Sequence, residues 1–323
     1  MSAGSTPVQR RPRPDIAALI VLGGCAVLLA GGGSVFHSFL TPAYLLQQLQ
    51  IASFLGILAA GAMLVILLGQ IDLSVPWTLT GAAIVTTTLA GMQEPAARML
   101  AVPAGLAFGA AVGLVNGAVV ARLRIPSMVW TLAMNAMLLG GAVFWTGGHK
   151  PRGRAPDLTT ALALGRTLHV PNAFLTWLVI SAAIVFLLRR TIFGRYLYAI
   201  GNNERAVLLA GARVERVIVG AFVLAGLLSA LVGLLLAGYA NQAYQGMGNP
   251  YLMPTIAAVV IGGTSILGGR GSYAGTFAGA LFITLLLSVL SVLQLPEAVR
   301  QILFGAIILA MLVVDGLRRA RPA

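Results

Sequence analysis

Residues 201–240 read GNNERAVLLAGARVERVIVGAFVLAGLLSALVGLLLAGYA. After Glu215 and Arg216 the run to Ala240 carries no charge. A helix crossing a bilayer needs ~20 apolar residues, and this run supplies them. The segment before it, Gly201 to Gly211, is short and partly polar. A second apolar run, 173–188, lies on its other side. A polar handle between two spans is the mark of a polytopic helical membrane protein, and the rest of the chain repeats that pattern.

The composition agrees. Of 323 residues, 59% are hydrophobic and 9% charged, and mean hydropathy is +0.93. A soluble domain carries about 25% charged residues, so this chain cannot cover a water-facing surface. A transmembrane β-barrel would show ~10-residue alternating segments, and none is evident. The net charge of +13 does not point to nucleic acid, because the cations sit at the ends of apolar runs rather than in one patch. The single cysteine, Cys25, forms no intrachain disulfide and offers no metal cluster. Thirty-nine glycines suit close helix packing in lipid.

The class is therefore all-α, with about ten spans: 16–36, 51–68, 75–91, 99–121, 126–146, 173–188, 214–240, 252–267, 273–293 and 298–314. The third and eighth are short and flanked by Gly and Pro. Residues 1–15, rich in Pro and Arg, read as a disordered tail. Residues 16–317 read as one transmembrane domain, and 318–323 as a basic tail. Fifteen of the 21 Lys and Arg fall at the end shared by both termini. Four of the other six, Lys150, Arg152, Arg154 and Arg166, share the loop 147–172. The positive-inside bias then puts both termini in the cytoplasm. Spans two to five and seven to ten start from opposite sides, the parity of an inverted repeat. The segments 69–83 and 263–280 share a Gly-rich, Thr/Gly/Ala texture that fits such a duplication.

This topology places 201–211 in the cytoplasm. Asn202 or Asn203 suits a helix N-cap, with Glu204 in the first turn. Arg205, Ala206 and Leu209 continue the helix, and Gly211 suits its C′ stop. The expectation is a helix of about two turns, either resting on the membrane surface or docking a cytoplasmic partner.

Four stretches carry a resemblance. They are Gly69-Gln70-Ile71-Asp72-Leu73-Ser74-Val75; Gly113-Leu114-Val115-Asn116-Gly117 running through Pro126-Ser127 to Thr131-Leu132 and Thr146-Gly147-Gly148; Ala199 through Gly211; and Gly262-Gly263-Thr264-Ser265-Ile266-Leu267-Gly268-Gly269-Arg270-Gly271-Ser272 with Gly275-Thr276. Together they resemble the membrane permease subunits of ribose- and simple-sugar-type bacterial ABC importers, in order from about residue 45 to 315. The resemblance implies a ten-helix inner-membrane permease that pairs with a second permease chain, identical or paralogous. It also implies a cytoplasmic ATPase gripping 201–211 as a coupling helix, and a periplasmic binding protein delivering a pentose or hexose. The chain has no Gly-x-x-x-x-Gly-Lys-Ser/Thr, and its one lysine is Lys150, so ATP and Mg belong to the partner and this chain binds no cofactor. Gln70 and Pro76 stand where the family commonly has Gly, which changes the shape of that turn. Pro76 favours a helix start there.

Candidate pathway residues follow from chemistry. A sugar offers hydroxyls, so neutral donors and acceptors suit its path: Ser74, Trp77, Asn135, Asn241, Gln242 and Tyr244. Helix-to-helix hydrogen bonding is the competing role for each, and Asn116 reads as packing. Asp72 either orders the cytoplasmic mouth of the path or caps span three; a proton relay is a third role. Gly268, Gly269, Arg270 and Gly271 read as a tight cytoplasmic turn, not a phosphate cradle, since no strand precedes them. His149 and His169 lack carboxylate or cysteine company, so no metal is expected. No residue is expected to be catalytic. The rivals are a permease for another small solute such as a nucleoside or amino acid, an ion-coupled secondary transporter, and a membrane-embedded enzyme. The last two would need carboxylates or a His/Asp/Glu cluster at one depth.

Overall fold

The computed structural model describes residues 16–35, 37–149 and 153–320. The expected N-terminal tail 1–15, Lys150, Arg152 and residues 321–323 lie outside the described residues. Twelve α-helices follow one another there: α1 (Ile16–Val35), α2 (Pro42–Ile66), α3 (Val75–Ala90), α4 (Pro95–Leu123), α5 (Ser127–Thr146), α6 (Asp157–Leu164), α7 (Asn172–Arg190), α8 (Ile192–Leu209), α9 (Val214–Ala240), α10 (Leu252–Ile261), α11 (Tyr273–Val292) and α12 (Glu297–Ala320).

Seven of them, α1, α2, α4, α5, α7, α9 and α11, are long and apolar enough to cross a membrane. Two more apolar stretches, α3 and 249–261, are shorter. The expected eighth span, 252–267, ends six residues early. Gly262 and Gly263 turn the chain there, and 262–272 runs on as a non-helical connection. The tenth expected span lies in α12, which is not among the seven. The loop 147–172 is not plain loop: it holds α6 and a two-stranded ribbon pairing Arg166–Thr167 with Val170–Pro171. α12 carries residues 318–320 of the expected tail as helix.

α2 and α9 form the centre. Thr41 caps α2, its hydroxyl accepting from the Tyr44 N–H, and Pro42 opens the first turn. From Ala52 to Ile66 almost every side chain of α2 is buried, so this helix is apolar on every face because every face meets protein. α4 lies against α9 through a small-residue seam. A Cβ at Gly113 would sit 2.2 Å from the Phe222 carbonyl oxygen, and one at Gly226 would sit 2.2 Å from that of Gly109. Only the missing side chains let the two backbones come this close.

The helix contacts obey an exchange rule. α2 packs on α9, α10 and α11, while α9 packs on α2, α3 and α4. α3 touches α4 and α5, as α10 touches α11 and α12. Swapping α2–α5 with α9–α12 maps these contacts onto themselves. α2 ends beside α8 and α9 begins beside it, so the two halves run in opposite directions, as an inverted repeat requires. The packing corrects the equivalence read from texture. It pairs α3 with α10, not the start of α3 with the start of α11. α1, α6, α7 and α8 lie outside the repeat and pack against α11, α9, α2 and α9 respectively.

Candidate functional site

Both repeats and α8 meet at one end of the bundle. α8 starts at Ile192, eleven residues before the expected cap, with the Thr191 hydroxyl accepting from the Gly194 N–H at 3.1 Å. The helix is interrupted at Asn203, whose φ of −159° and ψ of 94° are non-helical. There the Asn203 side chain accepts from the Ala206 N–H at 3.1 Å, so of the two expected caps it is Asn203 that restarts the helix. The restarted turn closes with Gly211 N–H donating to Leu208 and Ala212 N–H to Val207. This is the paired 5→2 and 6→1 arrangement that ends helices on a left-handed residue.

The segment before the break is stitched to the transmembrane helices. The Asn202 amide donates to the Tyr198 carbonyl at 2.8 Å and to the Gly269 carbonyl at 3.0 Å. Gly269 N–H donates to the Leu67 carbonyl at 2.9 Å, and the Tyr198 hydroxyl donates to the Gly271 carbonyl at 3.1 Å. A Cβ at Gly201 would fall 1.9 Å from the Leu67 oxygen, so α8 lies directly on the end of α2. Gly268, Gly269, Arg270 and Gly271 form a turn, closed by Ser265 N–H donating to the Arg270 carbonyl at 2.9 Å. Gly269 adopts φ +74°, a conformation cheap for glycine alone. Glu204 pairs with Arg124 at the turn between α4 and α5. Both partners are well exposed, so the pair orients more than it stabilises. α8 therefore touches the first repeat at Leu67 and Arg124 and the second at Gly269 and Gly271. Beyond the break, Val207 is buried while Leu208 and Leu209 project outward, Leu209 88% exposed. Arg205 and Ala206 are exposed beside them.

Each repeat also contains a break. The first, 67–74, joins α2 to α3 and is fully engaged. Asp72 accepts from the Ser74 N–H at 2.8 Å and from its hydroxyl at 2.6 Å, so it fixes the residue that precedes α3 and bonds to no N–H of the helix itself. Ser74 also accepts from Asn116 at 2.8 Å, and Asn116 accepts from the Trp130 indole at 3.0 Å. Ile71 N–H donates to Ser127 at 3.1 Å and Leu73 N–H to Thr131 at 2.9 Å. Trp77 is buried in the core. The second break, 241–251, joins α9 to α10. Asn241 leaves α9 with φ 59°, and Asn241, Gln242 and Tyr244 are all exposed. The second break meets α3 where Gly248 N–H donates to the Thr80 hydroxyl at 3.1 Å. Asn135, half-buried on α5, joins neither group, and its Oδ1 has no hydrogen-bond partner.

The structure thus separates the pathway candidates into a buried, bonded set (Asp72, Ser74, Trp77), an exposed set (Asn241, Gln242, Tyr244) and Asn135 apart. Sequence reasoning missed Tyr198, Thr80 and the pair Ser127–Thr131. The last had a readable signal, since hydroxyls four apart share one helix face.

The family model described as branched-chain amino acid transport system / permease component matches residues 44–312. Ribose import permease protein RbsC of Escherichia coli (strain K12) is 35% identical over 292 residues, covering 90% of each chain. L-arabinose ABC transporter permease protein AraH of Azospirillum brasilense is 31% identical, covering 99% of this chain and 98% of its own. Autoinducer 2 import system permease protein LsrC of Shigella flexneri is 35% identical, covering 94% of this chain and 86% of its own. No solved structure matches the chain. The protein is a multi-pass inner-membrane protein and a transport subunit rather than a catalytic enzyme, and it belongs to the family of branched-chain amino acid transport system permease components.

Proposed function

We propose that this chain is the membrane-spanning permease of an ATP-binding-cassette importer for a simple sugar. The observation that carries the reading is the junction of α8 with both repeats. An exposed apolar tip, Leu208 and Leu209, rides on a helix whose other half is hydrogen-bonded to the ends of α2 and of the 268–271 turn. A cytoplasmic ATPase that grips the tip pulls on both repeats at once. Two of the relatives are named for ribose and L-arabinose, both sugars, which favours a sugar over a nucleoside or amino acid.

In this reading both termini and α8 face the cytoplasm. ATP and Mg act on the ATPase, and a second permease chain completes the pathway. A periplasmic binding protein docks at the opposite end, where α6 and the ribbon lie. ATP-driven closure moves α8, and the repeats rock against each other along the α2–α9 contact. The test is to purify the chain with the ATPase and binding protein encoded beside it and screen sugars, nucleosides and amino acids for stimulated ATP hydrolysis. The combined substitution Glu204→Arg and Leu209→Asp is expected to lower ATPase association at least about tenfold. Burying one leucine is worth ~1.5–3 kcal/mol, and 1.4 kcal/mol is a factor of ten. ATPase association and transport that survive both changes would exclude the docking role.

A further inference from the structure

At the end of the bundle opposite α8, the second repeat holds a cleft of about 410 Å³ between α2, α10, α11, α12 and the second break. Its floor is apolar, with Leu55, Met247 and Phe304. Its walls carry Gln48, Tyr244, Glu297 and Arg300, and Ser291 stands exposed at its rim. The Arg300 guanidinium lies 3.8 Å from the Glu297 carboxylate, and its Nε is buried without a hydrogen-bond partner. Leaving a buried donor without an acceptor costs free energy. One donor here is left unmet at the cleft wall. A smaller cavity in the first repeat, between α3, α4 and α5, is about 210 Å³ and is lined by Phe108, Met137, Trp145 and other uncharged side chains. Of these two cavities, only the larger is furnished for a polar ligand.

We propose that this cleft is a binding site for a monosaccharide. Its volume lies within the range of small-molecule sites, which are mostly apolar with a few convergent polar groups. A sugar ring has an apolar face for Leu55, Met247 and Phe304. Its vicinal hydroxyls accept from Arg300 and donate to Glu297, which no apolar solute can do. The proposal rests on the importer reading, because only then does this end receive sugar from the periplasm. It places the polar contacts on α12, which the sequence reading left out of the pathway.

The experiment uses the assembled importer in detergent, carrying Ser291→Cys as a reporter at the exposed rim of the cleft. Cys25, buried in α1, is shielded from a polar maleimide. Labelling is followed with and without a mixture of D-ribose, L-arabinose, D-xylose, D-glucose and D-galactose, against betaine at equal osmolarity. Sugar occupancy slows labelling in proportion to 1 + [L]/Kd, about tenfold at the top of the titration, and betaine does not. Adding Arg300→Met abolishes the protection. Equal labelling with sugar and betaine in an intact, sugar-stimulated complex overturns the cleft while leaving the importer reading standing. A complex that assembles with no ATPase, or with no sugar response, overturns the importer reading instead, and the cleft with it. Protection that persists in the Arg300→Met chain overturns the role given to Arg300.

Discussion

The two breaks occupy equivalent places in the repeat and are built in opposite ways. In 67–74 the backbone N–H groups of Ile71, Leu73 and Ser74 all donate to side chains, and Asp72, Ser74, Asn116 and Trp130 form one continuous network. In 241–251 the side chains of Asn241, Gln242 and Tyr244 face outward. The loop is tied back at a few points: Ala155 N–H to the Asn241 carbonyl, Gln245 to the Thr146 hydroxyl, and Gly248 to Thr80. Where no water is present, every unmet polar group costs free energy, so a break deep in the bundle must be locked by its neighbours. A break at an exposed end is spared that demand and is free to meet a ligand. The first break is thus held by its neighbours on several sides, and the second at a few points only.

This contrast can be broken or sharpened by mutation. Asn116→Leu should have the largest effect, because at a fully buried position it removes the acceptor of the Trp130 indole and a donor to Ser74. About 3 kcal/mol of stability is expected to be lost, measured by thermal or denaturant unfolding in detergent. Asp72→Ala should cost about 2 kcal/mol, and Asp72→Asn less than about 1, since the amide oxygen still accepts from Ser74. If Asp72→Asn kept stability but abolished transport, the carboxylate would be acting as more than the acceptor that fixes Ser74. Gly248→Ala comes next. Its Cβ would meet the Pro76 carbonyl oxygen at 2.1 Å, so the second break and the first turn of α3 must move apart at a cost of about 1–2 kcal/mol, with transport falling further than stability. Gln242→Ala should change stability by no more than about 0.5 kcal/mol and still alter transport kinetics in proteoliposomes. Equal losses of stability at Gln242 and Asn116 would erase the distinction between the breaks.

Much of this was legible in the chain. The apolar runs named the class, and seven of the ten expected spans are long apolar helices, with α3 and α10 short as their Gly and Pro flanks suggest. Asn203 and Gly211 bound the short helix that they were read to bound, because capping is a local matter of one turn. The eleven residues of α8 before it were not read as helix. Their helix lies along the end of the bundle and is decided by what it rests on, Leu67 and Gly269. The eighth span is shorter than expected for a related reason: Ile266 and Leu267 are apolar enough to extend a run, yet they belong to a turn folded against α2 and α8.

The sequence by itself determined what the lipid demands: an all-helical chain with apolar spans, charges kept to their ends, and glycines where helices touch. These follow from side-chain transfer energies and single-turn geometry, which are readable a few residues at a time. The tertiary structure decided which polar groups are locked, which are exposed, and that Gln48, Tyr244, Glu297 and Arg300 share one cleft although they span some 250 positions of chain. In a membrane, lipid-facing and protein-facing surfaces are equally apolar, so the pattern that separates inside from outside in a soluble helix is lost. Only the packing of distant helices restores that distinction.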